Sequence, residues 1–287
     1  MLAAFTSEEQ AVLYGVTGGI PEYLSRINPR ISLDKNLIEL FFDESGRLFE
    51  EPVNLLKQEL REPATYHSII SAIAGGASRL NEIAGKTGLE TSGCSNQITS
   101  LIALGIIRKE TPVTEPAASR KTIYRLEDSM FLFWYRFVRP NISGITRGIG
   151  ETIYYQMVTP NISDFMGHIF EDICIQYLYH PQIYAALPFF PGSIGKWWGN
   201  NPVAKRQEEI DIMAVQDDQA LLGECKWRNA DINMEILRQL LERGNLFHYV
   251  QQYYMLFSKT GFTKDVKEYV ENTPNIKLIS FNDICNL

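Results

Sequence analysis

The chain is 287 residues long, which exceeds one typical domain and predicts two or three. Its composition, 45% hydrophobic and 21% charged, is that of a soluble globular protein. Because the sequence has neither a long apolar run nor a signal-peptide pattern, we expect no membrane span and a cytoplasmic location. The net charge of −7 argues against a generic binder of polyanions but leaves room for local basic patches.

The first 62 residues are predicted to form short helices. Ser7 is the expected N-cap of the first helix, and Gly18 is its expected end. A second helix is expected to begin at Ser32. Pro63 then marks a domain boundary.

Residues 63–127 have the pattern of a winged helix-turn-helix. Three helices are predicted, followed by two alternating segments, "IIRKETPV" and "KTIYRL", that are typical of a two-stranded ribbon. The helices are expected near 65–74, from Ser78 to Gly88 and from Ser92 to Leu104.

The third of these helices would be the recognition helix of a DNA-binding domain. It offers Ser95, Asn96 and Thr99 but no lysine or arginine, which weakens a DNA-binding role because phosphate contacts supply much of the affinity. Arg120 and Lys121 in the predicted wing could compensate in part. The alternative is a domain that serves only for packing.

An aromatic connecting segment, residues 128–160, precedes a last domain at 161–287. We identify no internal repeat. The last domain has the order αβββαβαβ, which predicts a mixed sheet with helices on both faces. The four cysteines are scattered and form no CxxC pair, which indicates reduced thiols and not a disulfide framework or a zinc site.

The strand "LLGECKW" carries the candidate chemistry. Glu224 and Lys226 lie two residues apart and therefore point to the same face of the strand. A hairpin through "QDDQ" would bring Asp211 of the preceding strand close to Glu224. Two converging carboxylates are hard oxygen ligands suited to Mg²⁺ or Mn²⁺, and the lysine could orient a water or hold a phosphate.

Two further residues are candidates for the same site. Glu171, on the preceding helix, could add a carboxylate to the metal, or it could simply lie at the solvent edge of a buried helix. Gln239, on the following helix, could hydrogen-bond near the site. The alternative for Asp211, Glu224 and Lys226 is a structural ion pair between neighbouring strands.

The segment "EEIDIMAV…LLGECKW", with "FE" on the helix before it, resembles the PD-(D/E)xK nuclease-like superfamily. Over nearly its full length the chain also resembles the C-terminal half of archaeal-type AAA ATPases that end in a domain of unknown function. The segments "GGIPEYL", "REPATY", "SRKTIYRLEDSMFLFWYRFVRPN" and "IGKWWG" carry this likeness. The resemblance implies that residues 1–62 correspond to the helical lid of the ATPase module.

The sequence departs from that second family because it contains no GxxxxGK[ST] motif. "AGKTG" offers Gly85-Lys86-Thr87, but this tripeptide lies in a predicted helix, which cannot form a phosphate-cradling loop. We therefore expect no ATP-binding site in this chain. A P-loop ATPase module could be encoded elsewhere and act in trans, it could have been lost, or this chain could be a fragment of a longer ATPase.

Two functions remain open from the sequence. One is a Mg²⁺-dependent DNA phosphodiesterase whose winged helix positions the substrate. The other is a non-catalytic DNA- or protein-binding module with a relic nuclease fold. The sequence leaves the oligomeric state and the shape of the DNA substrate undetermined.

Overall fold

The computed structural model describes residues 2–202 and 204–287, and the chain divides into two units. The first unit comprises the residues up to Glu110 together with Thr122–Ile162. The second unit comprises Thr111–Lys121 together with Ser163–Leu287. The loop 111–121 that joins the two strands of the predicted ribbon therefore groups with the second unit.

The first unit begins with four helices. They are α1 (Ser7–Thr17), α2 (Pro21–Leu24), α3 (Leu33–Phe41) and α4 (Glu51–Glu59). The N-cap of α1 is Thr6, not Ser7, because the hydroxyl of Thr6 accepts the backbone N–H of Glu9 while the Glu9 carboxylate accepts the N–H of Thr6. Ser32 caps α3 as predicted.

Three helices and a two-stranded ribbon follow in the predicted order. They are α5 (Pro63–Ala74), α6 (Leu80–Thr87), α7 (Thr91–Ala103), β1 (Ile107–Glu110) and β2 (Ile123–Leu126). The two strands pair antiparallel, with Ile107 opposite Leu126. The helical segment and the mixed α/β composition agree with the sequence analysis, and the winged-helix assignment stays a prediction.

A run of short helical turns completes the first unit. This run contains an internal repeat, so the prediction that the sequence has no internal repeat is wrong. The turns are α8 (Ser129–Phe133), the π-turn Trp134–Val138, the 3-10 turn Arg139–Asn141, α9 (Ile142–Gly144), the π-turn Ile145–Ile149, α10 (Gly150–Ile153), the π-turn Tyr154–Val158 and the 3-10 turn Thr159–Asn161. The sequence "VRPNIS" at 138–143 recurs as "VTPNIS" at 158–163. We call residues 134–142 the first copy and residues 154–162 the second copy.

The two copies have the same backbone geometry. Val138 has φ −89° and ψ −55°, and Val158 has φ −88° and ψ −55°. Proline has no N–H to continue the helical hydrogen bonds. In each copy the asparagine after the proline donates its side-chain amide to the carbonyl four residues earlier, at 2.8 Å.

The second unit is built around one sheet. Its elements are α11 (Ile162–Tyr179), α12 (Pro181–Ala185), β3 (Ile194–Asn201), β4 (Arg206–Gln216), β5 (Gln219–Lys226), α13 (Met234–Gly244), β6 (Gln251–Ser258), α14 (Lys264–Glu271), β7 (Ile276–Ser280) and α15 (Phe281–Cys285). The strands lie in the order β3-β4-β5-β6-β7. The first two pairings are antiparallel and the last two are parallel, so the sheet is mixed, as predicted.

Apolar residues cover this sheet on both faces. On one face, α13 and α14 place Leu237, Leu240 and Val266 in a buried cluster with Leu222 of β5 and Leu256 of β6. Aromatic contacts involve α11 and α15. The Phe170 and Phe281 rings lie 5.2 and 4.9 Å from Trp227, centroid to centroid.

The loop 111–121 lies against β3. The backbone N–H of Val113 donates to the carbonyl of Lys196 at 2.9 Å, and the indole N–H of Trp198 donates to the carbonyl of Lys121 at 3.1 Å. Trp198 is buried, which is consistent with a role in packing the sheet.

No helix in the described part of the chain is both long and apolar enough to cross a bilayer.

Candidate nuclease-like site

Asp211 lies in a bulge of β4. Gly195 of β3 is opposite Met213 and Trp197 is opposite Ile210, so two residues of β4, Asp211 and Ile212, face a single residue of β3. A bulge of this kind re-aims a side chain and is frequent beside active sites. The Asp211 carboxylate accepts the backbone N–H of Cys225 on β5 at 2.8 Å. This hydrogen bond joins the two strands beyond their last register pair.

Glu224 and Lys226 lie on one face of β5, as their spacing predicts. Lys226 Nζ is 2.6 Å from one carboxylate oxygen of Glu224. The other oxygen is 2.5 Å from Arg243 of α13. Arg243 also lies 3.4 Å from Glu208 of β4. The Glu224 side chain is only 6% exposed, and each of its two carboxylate oxygens is paired with a cation. Pairing of this kind offsets the cost of burying the negative charge.

Glu171 reaches the same region from α11. Its carboxylate is 2.5 Å from Nζ of Lys196, the β3 residue opposite the bulge, and 3.8 Å from His168. Burial alone would raise the pKa of Glu171, but its interactions with His168 and Lys196 together lower it to about 2. Glu171 is therefore ionised. We call Glu171, Asp211 and Glu224 the acidic cluster.

Asp211 is the least compensated member of the acidic cluster. Burial, followed by the charges of Glu224 and Glu171, raises its pKa to about 7, against the opposing effect of Lys226. None of the described residues places a lysine or arginine nitrogen within ion-pair distance of it. Its carboxylate thus lacks the nearby positive charge that Glu171 and Glu224 have.

Lys226 keeps its proton in this setting. Burial alone would lower its pKa, but the charges of Glu224 and Asp211 raise it above the usual value for lysine. Its side chain is 31% exposed, so the ammonium group is accessible from solvent.

Two thiols lie beside the cluster. Cys174 of α11 and Cys225 of β5 are both buried and interact with each other, and burial raises the pKa of each thiol.

The structure brings together four of the five predicted catalytic residues, namely Asp211, Glu224, Lys226 and Glu171. Gln239 is exposed, and its amide donates to Glu235 one turn earlier, at 3.4 Å. Arg243, one turn later on the same helix, is the residue that reaches Glu224. Sequence reasoning missed Arg243 and also missed Lys196 and Glu208, since their partners lie on other elements.

The predicted DNA-binding residues occupy two places. On α7, Asn96 and Thr99 are exposed and Ser95 is half-buried, so all three lie toward the solvent side of the helix. In the loop 111–121, Lys121 Nζ is 2.5 Å from Glu115. Arg120 is exposed there. Their contact with DNA stays a prediction.

A divalent metal fits the donor chemistry of the acidic cluster but not its present arrangement. The buried carboxylate of Asp211 offers oxygen donors and lacks a cation, which favours an added positive charge. Glu224 would first have to exchange Arg243 or Lys226 for the metal. Accordingly, no three acidic, histidine or cysteine side chains of the described residues are arranged as a ready metal site.

Two protein-family models match the chain. One, described as archaeal and bacterial proteins of unknown function, matches residues 134–238. The other, described as restriction endonuclease, matches residues 200–287, a range that contains Asp211, Glu224, Lys226 and Arg243.

A curated relative and a solved structure are also similar to parts of the chain. An uncharacterized protein of Methanocaldococcus jannaschii is 31% identical over 267 residues, which make up 90% of this chain and 58% of the relative. The chain thus spans little more than half of that relative's length. The solved structure of Can2 from Sulfobacillus thermosulfidooxidans, in complex with cyclic tetra-adenylate, is 15% identical with a TM-score of 0.30 and covers 82% of this chain and 53% of its own.

Between them, the two family matches cover the strands of the mixed sheet. They support a PD-(D/E)xK nuclease-like domain as the C-terminal domain of this chain.

Proposed function

We propose that the second unit is a Mg²⁺- or Mn²⁺-dependent DNA phosphodiesterase. The main support for this proposal is Asp211, a buried carboxylate without a cation, beside Glu224 and a protonated Lys226. Buried groups with strongly shifted pKa values are frequent at functional sites. The match to the restriction endonuclease family over residues 200–287 supports the same function.

In this proposal Asp211, Glu224 and Glu171 would hold the metal, which supplies an acidified water and charge neutralisation at the phosphate. The backbone N–H of Cys225 orients the Asp211 carboxylate. Lys226, partly exposed and cationic, stabilises the negative charge that develops on the phosphate oxygens during displacement. Arg243 keeps Glu224 compensated before substrate and metal enter, and it then becomes available to a phosphate oxygen.

We further propose that the helices and ribbon of residues 63–127 position the DNA. The exposed Asn96 and Thr99 of α7 and the basic pair Arg120 and Lys121 of the loop 111–121 would make the contacts. A P-loop ATPase module acting in trans is part of the proposal, because the chain resembles the C-terminal half of archaeal-type ATPases.

One observation favours a second candidate, a non-catalytic binding module. Both carboxylate oxygens of Glu224 are already engaged, by Lys226 and by Arg243. A relic site can stabilise itself by such internal ion pairs once it no longer binds metal.

A nicking assay separates the two candidates. Supercoiled plasmid and branched DNA would be incubated with Mg²⁺ or Mn²⁺ and the wild-type chain, beside the Asp211→Asn and Lys226→Ala variants. We expect cleavage by the wild type alone. If the wild type cleaves every substrate no faster than the two variants do, the enzyme proposal fails. The non-catalytic binding module then replaces it.

A further inference from the structure

The loop that follows β5 leaves the sheet beside the nuclease-like site. β5 ends at Lys226, and β6, its parallel neighbour, reaches Ser258 at the same level. In open sheets with parallel strands, ligands bind in the crevice outside the carboxyl ends of the strands. We call residues 227–233, with the sequence "WRNADIN", the β5–α13 loop.

Arg228, in this loop, lies on the same side of the chain as Lys226. Neighbouring side chains of an extended chain point to opposite sides. Trp227, between the two, packs against aromatic rings of α11 and α15. Arg228 Nη2 donates to the carbonyl of Asp231 at 3.4 Å, and the next residue, Ile232, is buried in the cluster that α13 and α14 form with the sheet. Arg228 therefore continues the side of β5 that carries Lys226.

The guanidinium of Arg228 has few partners. Its one hydrogen bond is the long one to the carbonyl of Asp231, and no carboxylate of the described residues lies within ion-pair distance of it. Of its nitrogens that lack a hydrogen bond, only Nε is buried, so Nη1 is open to solvent. A cationic group with so few acceptors gains from an anion that reaches Nη1.

The β5–α13 loop does not depend on Arg228 for its shape. The backbone N–H of Ile232 donates to the carbonyl of Gly261 at 3.0 Å. At the start of the loop, the carbonyl of Trp227 accepts the hydroxyl of Ser163 at 2.8 Å. A single long hydrogen bond to a carbonyl would not require a positive charge, so the charge of Arg228 is available for a ligand.

We propose that Arg228 binds the DNA phosphate next to the scissile phosphate. This inference rests on the proposed function, in which the scissile phosphate lies at Lys226 and the acidic cluster. Two residues of extended chain span roughly 6.6 Å, which is close to the separation of successive phosphates along a nucleic-acid strand. A strand that places one phosphate at Lys226 would therefore present the next one to Arg228.

The contact has an electrostatic reason. The acidic cluster repels DNA, and a cation beside it offsets that repulsion. The fork of N–H donors on a guanidinium matches phosphate oxygens. Lys259, at the same end of the sheet, already lies over the Trp227 ring at 5.3 Å and donates to Asn229 at 2.6 Å. Arg228 is therefore the cation of this loop region that is better placed for a phosphate.

The test is fluorescence anisotropy of a short labelled DNA duplex with the whole chain, in EDTA and over a range of salt concentrations. Arg228→Gln keeps a hydrogen-bond donor but removes the charge, so it should weaken binding about tenfold. The slope of log affinity against log salt should become shallower by about one. Arg147→Gln, the same change at an exposed arginine of the first unit, should leave both unchanged.

Unchanged affinity and slope in Arg228→Gln would overturn the inference, and so would an absence of DNA binding by the wild type. Weaker binding with an unchanged slope would also overturn it, because that result assigns Arg228 to the structure of the loop.

A second pair of variants leaves Arg228 in place. Ala230→Glu adds a negative charge at an exposed position of the same loop and should weaken DNA binding, whereas Ala230→Gln should not. Equal affinities in these two variants would overturn the inference even if Arg228→Gln does not fold.

The nicking assay separates this inference from the proposed function. If DNA binding depends on Arg228 but the wild type does not cleave, the enzyme proposal alone fails, and Arg228 is a DNA contact of the binding module. If the wild type cleaves but Arg228→Gln binds DNA as the wild type does, this inference alone fails.

Discussion

The acidic cluster of the second unit and the surroundings of His67 in the first unit present opposite electrostatic problems. In the cluster, burial and neighbouring carboxylates raise the pKa of an acid, Asp211, to about 7. In the first unit, burial and then the neighbouring cations Arg139 and Lys57 lower the pKa of a base, His67, to about 4. Both shifts disfavour charging one more group of the same sign.

The largest expected effect tests whether the acidic cluster is catalytic. Lys226→Ala should lower the rate of DNA cleavage by roughly 10²–10³, because the variant lacks one preorganised positive charge beside the developing negative charge. The measurement is single-turnover nicking with Mg²⁺. Lys264→Ala, which removes an exposed lysine on α14, is the matched control and should cleave normally. Equal rates in the two variants would place Lys226 outside the chemistry.

The second effect concerns the pH dependence of stability in EDTA. Asp211 has a pKa of about 7 in the native state and near 4 when unfolded, so between these values the native state holds a proton that the unfolded state has released. Wild-type stability therefore falls as pH rises through this window. Asp211→Asn cannot titrate, so its unfolding free energy relative to wild type should rise by roughly 2–3 kcal/mol from pH 5 to 8.

Urea unfolding at several pH values measures this difference. Asp218→Asn, in the exposed turn of the β4–β5 hairpin, makes the same chemical change outside the cluster and is the control. Parallel pH profiles for wild type and Asp211→Asn would contradict a raised pKa at Asp211. Added Mg²⁺ should raise the melting temperature of wild type but not of Asp211→Asn, since a ligand that binds only the folded state stabilises it.

A smaller effect is expected from Arg243, which connects Glu224 and Glu208. Arg243→Ala should lower metal-free stability by about 1–3 kcal/mol, because Glu224 loses a charged partner. It should also enlarge the Mg²⁺-induced rise in melting temperature, because one oxygen of Glu224 is freed. Arg238→Ala, on an exposed position of the same helix, controls for helix propensity. A smaller rise than in wild type would argue against metal binding by Glu224.

The smallest expected effect tests whether basic residues help DNA, a polyanion, to bind a protein that carries an acidic cluster. If Arg120 and Lys121 bind phosphates, replacing both with alanine should weaken DNA binding. The slope of log affinity against log salt should become shallower by about one for each phosphate that is no longer neutralised. Fluorescence anisotropy over a range of salt concentrations measures both. Unchanged affinity and slope would assign residues 63–127 to packing.

Sequence reasoning was sufficient to place residues relative to one another where strand periodicity or a short turn determines their positions. The period of two along β5 places Glu224 and Lys226 on one face, and the short turn at 216–219 brings Asp211 to the same end of the hairpin.

Non-local geometry accounts for what sequence reasoning missed. Lys196 reaches Glu171 from a strand that pairs across a bulge, and no local pattern reveals a bulge. Arg243 and Gln239 both lie on the predicted helix, but the packing of α13 on the sheet decides which of them meets Glu224. The repeat was missed because only a few of its residues are identical, whereas its backbone angles coincide.

The hydrogen bonds between the loop 111–121 and β3 have a consequence for dissecting the chain. β3 is the outer strand of the sheet, and this loop covers part of its free backbone and accepts the indole N–H of Trp198. A fragment that starts near residue 161 would omit the loop and leave an unprotected strand, which is a template for edge-to-edge aggregation. The nuclease-like domain is therefore discontinuous in sequence, and an isolated version has to carry residues 111–121 with it.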